Sequence, residues 1–307
     1  MLNPMHLRTF LGVLRTGSFS DAGRELGYSA SAVSQQMSAL ERSIDVQLFE
    51  REAHSVRPTA AAEVLSVGAR DVLATLLQFE DQAAAVKIGE RGRIRMASFP
   101  SAGAILLPRT LEKLLVDSPG IEVLLDEGEP ETLLPRLLEG ELDVMLAYEY
   151  NVVPRTWPTG LTCEIVLKES LILVAPSGLA GVKERMNGGL AEFADENWVS
   201  TGEDTGGAMC LKWLCAAEGF SPRVVCRSNN YDTVIGIVGA GLGVALVPAL
   251  AFHPSGAVVA HGLDPEVASR SVLAVYRTGN TNRLLSTVIG ALQHVALGVS
   301  LTDFDVR

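Results

Sequence analysis

Residues 10–41 read FLGVLRTGSFSDAGRELGYSASAVSQQMSALE, and the punctuation of this stretch decides the fold of the N-terminal region. Leu7, Phe10, Leu11 and Leu14 recur at i, i+3, i+4 and i+7, one apolar helical face that stops at Gly17. Ser18 offers an N-cap with Asp21 three residues on, and the second helix carries Ala22 and Leu26 inward before Gly27 ends it. Ser29 and Ser31 are candidate caps for a third helix. There Val33, Met37, Leu40 and Ile44 share one face, while Ser34, Gln35 and Ser38 lie opposite. Gln47–Phe49 and Ser55–Arg57 then pattern as two short strands around a polar turn, a wing carrying Arg51 and His54. Together these elements predict a winged helix-turn-helix over residues 1–58.

From Pro58 onward the pattern changes. Ala62, Leu65, Ala69, Val72, Leu76, Phe79, Ala83 and Val86 alternate spacings of three and four. That heptad seam predicts a long linker helix over 59–88 that must pair, with Leu65, Val72, Leu76, Phe79 and Val86 as its dimerisation residues. Gly89 and Gly92 close it as a hinge over 89–92. Next come a strand at Ile94–Ala97, a helix near Ile105–Leu115, a strand at Ile121–Leu125, a helix near Glu131–Glu139 and a strand at Leu142–Ala147. This is a βαβαβ run, expected to give a parallel sheet. Pro135 should kink its helix or delay its start.

Leu161 to about Ala260 repeats the theme. Strands are predicted at Leu171–Ala175, Val224–Cys226 and Gly243–Val247, with helices around Ala208–Glu218 and Thr233–Gly239. Ser271–Tyr276 and a C-terminal helix to about Leu297 finish the chain. The predicted fold class is multidomain, α followed by α/β. Residues 93–300 form two lobes, lobe I about 93–160 with 268–300 and lobe II about 161–267, and a ligand cleft is expected between them.

With 307 residues, 48% of them hydrophobic and 20% charged, the composition is that of an ordinary globular protein rather than a disordered chain. The N-terminus MLNPMHLRTF lacks a basic run followed by an apolar segment, and no uninterrupted apolar stretch reaches about 18 residues. A cytoplasmic protein without membrane attachment is expected. Cys163, Cys210, Cys215 and Cys226 form no C-x-x-C pair and read as buried free thiols, so neither metal nor cofactor is called for. The five histidines are scattered, and no G-x-S-x-G, H-E-x-x-H or P-loop motif is present, which argues against an enzyme. Gly239, Gly241 and Gly243 follow a helix and precede a strand, the reverse of a nucleotide-binding loop.

The net charge of -11 argues at first sight against nucleic acid. Its distribution matters more: in residues 1–58 six arginines balance six acids, so the whole excess of acid lies beyond. A neutral head binds DNA best as paired copies, which double its phosphate contacts.

The stretch quoted above, with LFERE at 48–52, resembles the LysR-type transcriptional regulator family, as does the order of parts. The resemblance implies an N-terminal winged helix-turn-helix, a long linker helix and a two-lobed effector domain like a periplasmic solute receptor. It implies a sequence-specific, DNA-binding transcription regulator controlled by a small molecule held between the lobes. By correspondence, Ser29, Ala30, Ser31, Ser34 and Gln35 enter the DNA major groove, and Arg51 and Arg57 reach DNA from the wing. Gln35 stands where the family favours arginine and suits the N6/N7 edge of adenine. A two-fold dimer or tetramer implies an inverted-repeat operator in double-stranded DNA. The same resemblance turns the strand-to-helix loops of both lobes toward one cleft, giving Ser98, Phe99, Pro100, Ser101, Thr201, Thr205 and Asn230 as effector-binding residues. Hydroxyls and helix starts suit a carboxylate, whereas Glu127, Glu129, Glu203 and Asp204 suit an amine; an amino acid or another zwitterion satisfies both.

Overall fold

Helix α1 (Pro4–Thr16) begins where Asn3 caps it and Pro4 occupies the first turn, and Gly17 ends it in the left-handed region at φ 67°. The computed structural model describes residues 2–51, 56–88 and 92–299. Ser18 caps α2 (Phe19–Leu26) by accepting from the Asp21 amide, and Gly27 at φ 75° terminates it. Ser29 caps α3 (Ala30–Ile44) in the same way through Ala32. The turn between α2 and α3 closes with the Tyr28 amide on the Gly23 carbonyl at 2.7 Å. A Cβ on Gly23 would lie 2.6 Å from the Tyr28 carbonyl oxygen, so this position admits no side chain without moving the turn.

The wing differs slightly from expectation. Strand β1 (Phe49–Arg51) pairs antiparallel with β2 (Val56–Pro58), Phe49 opposite Pro58. Gln47 and Leu48 stay out of the ladder for a physical reason. Glu41 accepts from the Leu48 and Phe49 amides at 2.8 and 3.1 Å, and Thr59 donates its hydroxyl to Gln47 O and its amide to Leu48 O. Phe10, Val13, Ala22, Val33, Met37, Leu40, Leu48 and Phe49 form the core of the head, with Phe10 and Phe49 meeting edge to face. Helix α4 (Ala60–Ile88) follows, and its seam divides: Ala62 and Ala69 join this core, while Leu65, Val72, Leu76 and Phe79 remain 40, 47, 38 and 67% exposed.

By contacts the chain groups into two compact units, Met1–Glu90 with Pro135–Leu142, and Arg91–Leu134 with Asp143–Arg307. After α4, β3 (Arg93–Ser98), α5 (Pro100–Asp117), β4 (Glu122–Glu127), α6 (Pro130–Leu138) and β5 (Val144–Tyr150) follow in order. Strands β4 and β5 flank β3 in parallel, as expected of the βαβαβ run. Helix α6 continues through Pro135 rather than starting after it; that residue forfeits only the amide bond to the Glu131 carbonyl.

The sheet is mixed, which corrects the expectation of parallel lobes. Strand β6 (Leu161–Pro176) is 16 residues long where only Leu171–Ala175 was expected. Its first half pairs antiparallel with β11 (Ser269–Arg277), itself antiparallel to β5. Its second half pairs with β9 (Ala245–Pro248) and β10 (Val258–Gly262). Residues 161–170 therefore belong to the first lobe's sheet. They escaped notice because Cys163, Glu164, Lys168 and Glu169 break the apolar run. The second lobe adds α7 (Val182–Asn187), a parallel pair β7 (Asn197–Ser200) and β8 (Arg223–Arg227), α8 (Gly206–Ala217) and α9 (Tyr231–Gly239). Gly243 sits where a Cβ would meet the Asn197 carbonyl at 2.2 Å, so the glycine run serves close strand approach. Helix α10 (Leu285–Leu297) closes the second unit. Cys210 and Cys215 are buried as expected; Cys163 is exposed.

At the junction of the two halves of β6, Glu169 faces Arg270 in register. Both side chains are buried, the Arg270 Nη2 to Glu169 Oε1 distance is 2.7 Å, and Glu169 Oε2 accepts from the Leu250 amide at 2.6 Å. Breaking such a pair strands a charge in a dry site. Glu169→Ala should lower unfolding stability by about 3–5 kcal/mol in urea titration, and Glu169→Leu with Arg270→Met should recover most of it. In the head, Gly23→Ala should lose roughly 1–3 kcal/mol by the same measurement. Gly68→Ala, in open space on α4, should gain roughly 0.4–1 kcal/mol.

Candidate functional site

In the head, the N-terminal turn of α3 is the exposed surface. Ser29, Ala30, Ser31 and Gln35 are exposed and Ser34 half-buried, while Val33, Met37 and Leu40 on the other face are buried. Ser29 Oγ accepts from the Ala32 amide at 3.2 Å and lies 3.0 Å from Ser31 Oγ. No acidic residue occupies the first turn, so the partial positive charge of the helix start is uncancelled there. The helix is anchored from behind: buried Thr9 on α1 places its hydroxyl 2.5 Å from the Gln36 side-chain amide. Arg57 stands exposed on β2 opposite Glu50, and Arg51 lies in β1. The side chains of Arg51 and Val86, and His54 altogether, fall outside the described residues.

In the second unit, β3 ends at Ser98 and α5 begins at Pro100. Phe99, Pro100, Ser101, Glu129, Tyr148, Thr201, Thr205, Asn229, Tyr231 and Arg270 line one narrow cleft. Of the residues expected there, Phe99, Pro100, Ser101, Thr201 and Thr205 meet in it. Ser98 is buried and donates to the Phe99 carbonyl at 3.1 Å. Asn230 instead caps α9 by accepting from the Thr233 amide at 3.1 Å, and its neighbour Asn229 lines the cleft.

The electrostatics of the cleft centre on two groups. Arg270 sits at its floor, its guanidinium 5.1 and 5.5 Å from the ring centres of Phe99 and Tyr148, and Nη2 donates to Ser101 Oγ at 3.0 Å. Glu169 offsets its charge and holds it firmly protonated. Glu129 is the second group. Tyr148 Oη donates to it at 2.8 Å, and burial raises its carboxyl above the usual range despite that bond. Glu203, by contrast, lies outside the cleft with Lys212 at 3.0 Å, which lowers its pKa.

Thr201 and Tyr231 also line a second small pocket, together with Tyr150, Leu171, Val199, Ser200, Leu211, Leu246 and Cys210. Burial pushes the Cys210 thiol up to about 12, so it is a small packing group rather than a nucleophile. Arg270, Tyr148, Tyr231 and Asn229 were missed from the sequence. Arg270 gave the nearest thing to a signal, one of two arginines flanking an apolar strand, but its partner lies 101 residues earlier.

Comparison with known proteins places both parts of the chain in a family. Residues 4–63 match a family described as bacterial regulatory helix-turn-helix protein, lysR family, and residues 87–296 match LysR substrate binding domain. The chain is similar to the HTH-type transcriptional regulator AlsR of Bacillus subtilis (strain 168), 25% identical over 92% of this chain and 93% of that protein. It is also similar to the probable HTH-type transcriptional regulator LrrA of Synechococcus elongatus, 29% identical over 88% and 86% of the two. Among solved structures it resembles an OxyR C206 mutant of Corynebacterium glutamicum, with a TM-score of 0.59, 25% identity and 96% and 92% of the two chains covered. The fold also matches CbnR complexed with its target DNA, at a TM-score of 0.51, 21% identity and 96% and 100% coverage. A DNA-reading helix-turn-helix, a long helix and a two-lobed effector-binding domain therefore stand in one chain, which belongs to the LysR-type family of transcriptional regulators.

Proposed function

We propose that this regulator reads an inverted-repeat operator as a homodimer or homotetramer, with the N-terminal turn of α3 in the major groove. The observation that carries this reading is the exposed polar face of Ser29, Ala30, Ser31, Ser34 and Gln35 backed by a buried apolar one. Gln35 pairs with an adenine edge, and Arg51 and Arg57 contact the backbone from the wing. Because the head carries no net charge, affinity rests on two copies. The exposed Leu65, Val72, Leu76 and Phe79 of α4 supply the pairing surface. The effector, a small carboxylate or a zwitterion such as an amino acid, occupies the cleft around Phe99, Pro100, Ser101, Thr201 and Thr205, and Ser98 and Asn230 support its walls. Among the described residues no helix is long and apolar enough to cross a membrane, and we assign the protein to the cytoplasm, where its DNA is.

A gel shift of the full chain on DNA from upstream of its own gene tests this reading; no shift at low salt, with or without candidate effectors, would refute it. Gln35→Ala should weaken specific binding by roughly 1–3 kcal/mol, or about 5- to 150-fold. Phe79→Glu should shift the sedimenting species toward monomer and reduce operator affinity in parallel, since a lone head forfeits half the phosphate contacts.

A further inference from the structure

We propose that Glu129 is the specificity-determining residue of the effector cleft and that it reads a protonated amine carried on a short apolar group. The proposal rests on the effector occupying this cleft, and it narrows the chemistry from two classes to one.

Two charged side chains line the cleft, and they are not equivalent. Arg270 already has its counter-ion: Nε lies 2.8 Å and Nη2 2.7 Å from Glu169 Oε1, and Ser101 Oγ takes a further bond at 3.0 Å. Nη1 makes no hydrogen bond among the described residues, so a carboxylate entering here would find donors but a cation whose charge Glu169 already offsets. Glu129 has a hydrogen bond from Tyr148 at 2.8 Å and, among the described residues, no ion pair. Its neighbours Glu131 and Glu127 add like charge, and Arg270 only partly offsets them. Glu131 is itself held by Arg155 at 3.0 Å, on the rim. The fixed charge left over in the cleft is therefore that of one half-buried carboxylate.

Burial in that setting raises the cost of keeping Glu129 ionised, and a cation placed beside it removes that cost. Phe99, Tyr148 and Tyr231 line the same cleft, and aromatic rings favour an ammonium over an anion as a neighbour. Thr201 and Tyr231 also border a small adjoining pocket, where Leu171, Val199, Leu211 and Leu246 are the apolar side chains that a short aliphatic group would meet on widening it. A simple carboxylic acid would meet repulsion from Glu129 and gain no free cation. An amine meets neither obstacle, and the ammonium of an amino acid removes the first.

The test uses the full-length protein and three matched probes: L-leucine, its deaminated analogue 4-methylpentanoate, and its decarboxylated analogue 3-methylbutylamine. Thermal shift and calorimetric titration are read for wild type, Glu129→Gln and Glu203→Gln. Expected is stabilisation by the amine, by leucine or by both, absent with 4-methylpentanoate. Glu129→Gln should weaken binding at least about tenfold while Glu203→Gln leaves it unchanged. Affinity should also fall from neutral to acid pH, as Glu129 takes up a proton and loses its charge. Binding of leucine without the amine adds a role for the ligand carboxylate and still supports the ammonium assignment.

If none of the three probes stabilises the protein, or Glu129→Gln binds as tightly as wild type, the assignment is wrong. Stabilisation by 4-methylpentanoate alone, lost in Ser101→Ala, would overturn it while leaving the cleft as the effector site. Stabilisation that neither Ser101→Ala nor Glu129→Gln diminishes would overturn both. Should Glu129→Gln fail to fold by circular dichroism, the wild-type probe series and its pH dependence still decide.

Discussion

The buried ion pair of Glu169 and Arg270 is the constraint on which the second unit depends. It sits where β6 passes from pairing with β11 to pairing with β9 and β10, so the same two residues close the junction of both sheets. Arg270 also donates from Nη2 to Ser101, in the first turn of α5, and lies against the rings of Phe99 and Tyr148. The floor of the cleft is thereby fixed in shape and nearly cancelled in charge. What remains chemically available there is Glu129 and a set of hydroxyls. A buried pair of this kind adds little to stability compared with apolar replacements of similar volume. Its role here is geometric, because no apolar pair would hold Ser101 by a hydrogen bond.

The first unit balances differently. Its core is small and apolar, and its polar fixings are short range: Ser18, Ser29 and Thr59 at helix starts, Glu41 under the wing, Thr9 behind the recognition helix. Each satisfies backbone or amide groups that would otherwise be stranded at element ends. Together they orient α3 without any of the basic side chains that would also attract phosphate. The seam on α4 serves two masters, since Ala62 and Ala69 pack on the head while larger residues one step around the helix stay exposed. Small residues face inward because α1 lies close to α4 there.

Much of this was legible in the sequence, and the reasons are local. Glycines at 17 and 27 with serines at 18 and 29 write the helix ends directly, since capping and left-handed termination depend on the residue itself. The parallel strands of the first lobe were readable because apolar runs alternate with helical periodicity. The failures are non-local. Strand β6 was seen only in its buried half, because its first half alternates polar and apolar residues along a sheet whose other partner lies some hundred residues later. Arg270 and Tyr148 entered the cleft unannounced for the same reason: a charge or a phenol gains its meaning from what pairs with it. Asn230 and Asn229 could not be separated by sequence, because either could cap α9 and the backbone turn alone decides which one faces the ligand.

Strand β6 also limits how this domain can change over evolutionary time. Two sheets share one strand, and beyond an irregularity at Val166 its side chains alternate between faces with a period of two. A single inserted or deleted residue in its middle would turn one half over relative to the other. It would send Glu169 to the wrong face and invert the apolar lining of one whole lobe. Length is therefore frozen in this segment even where residue identity is free. The loops at the cleft mouth can lengthen or shorten, so new ligands are most readily acquired there, around a connection that must keep its count.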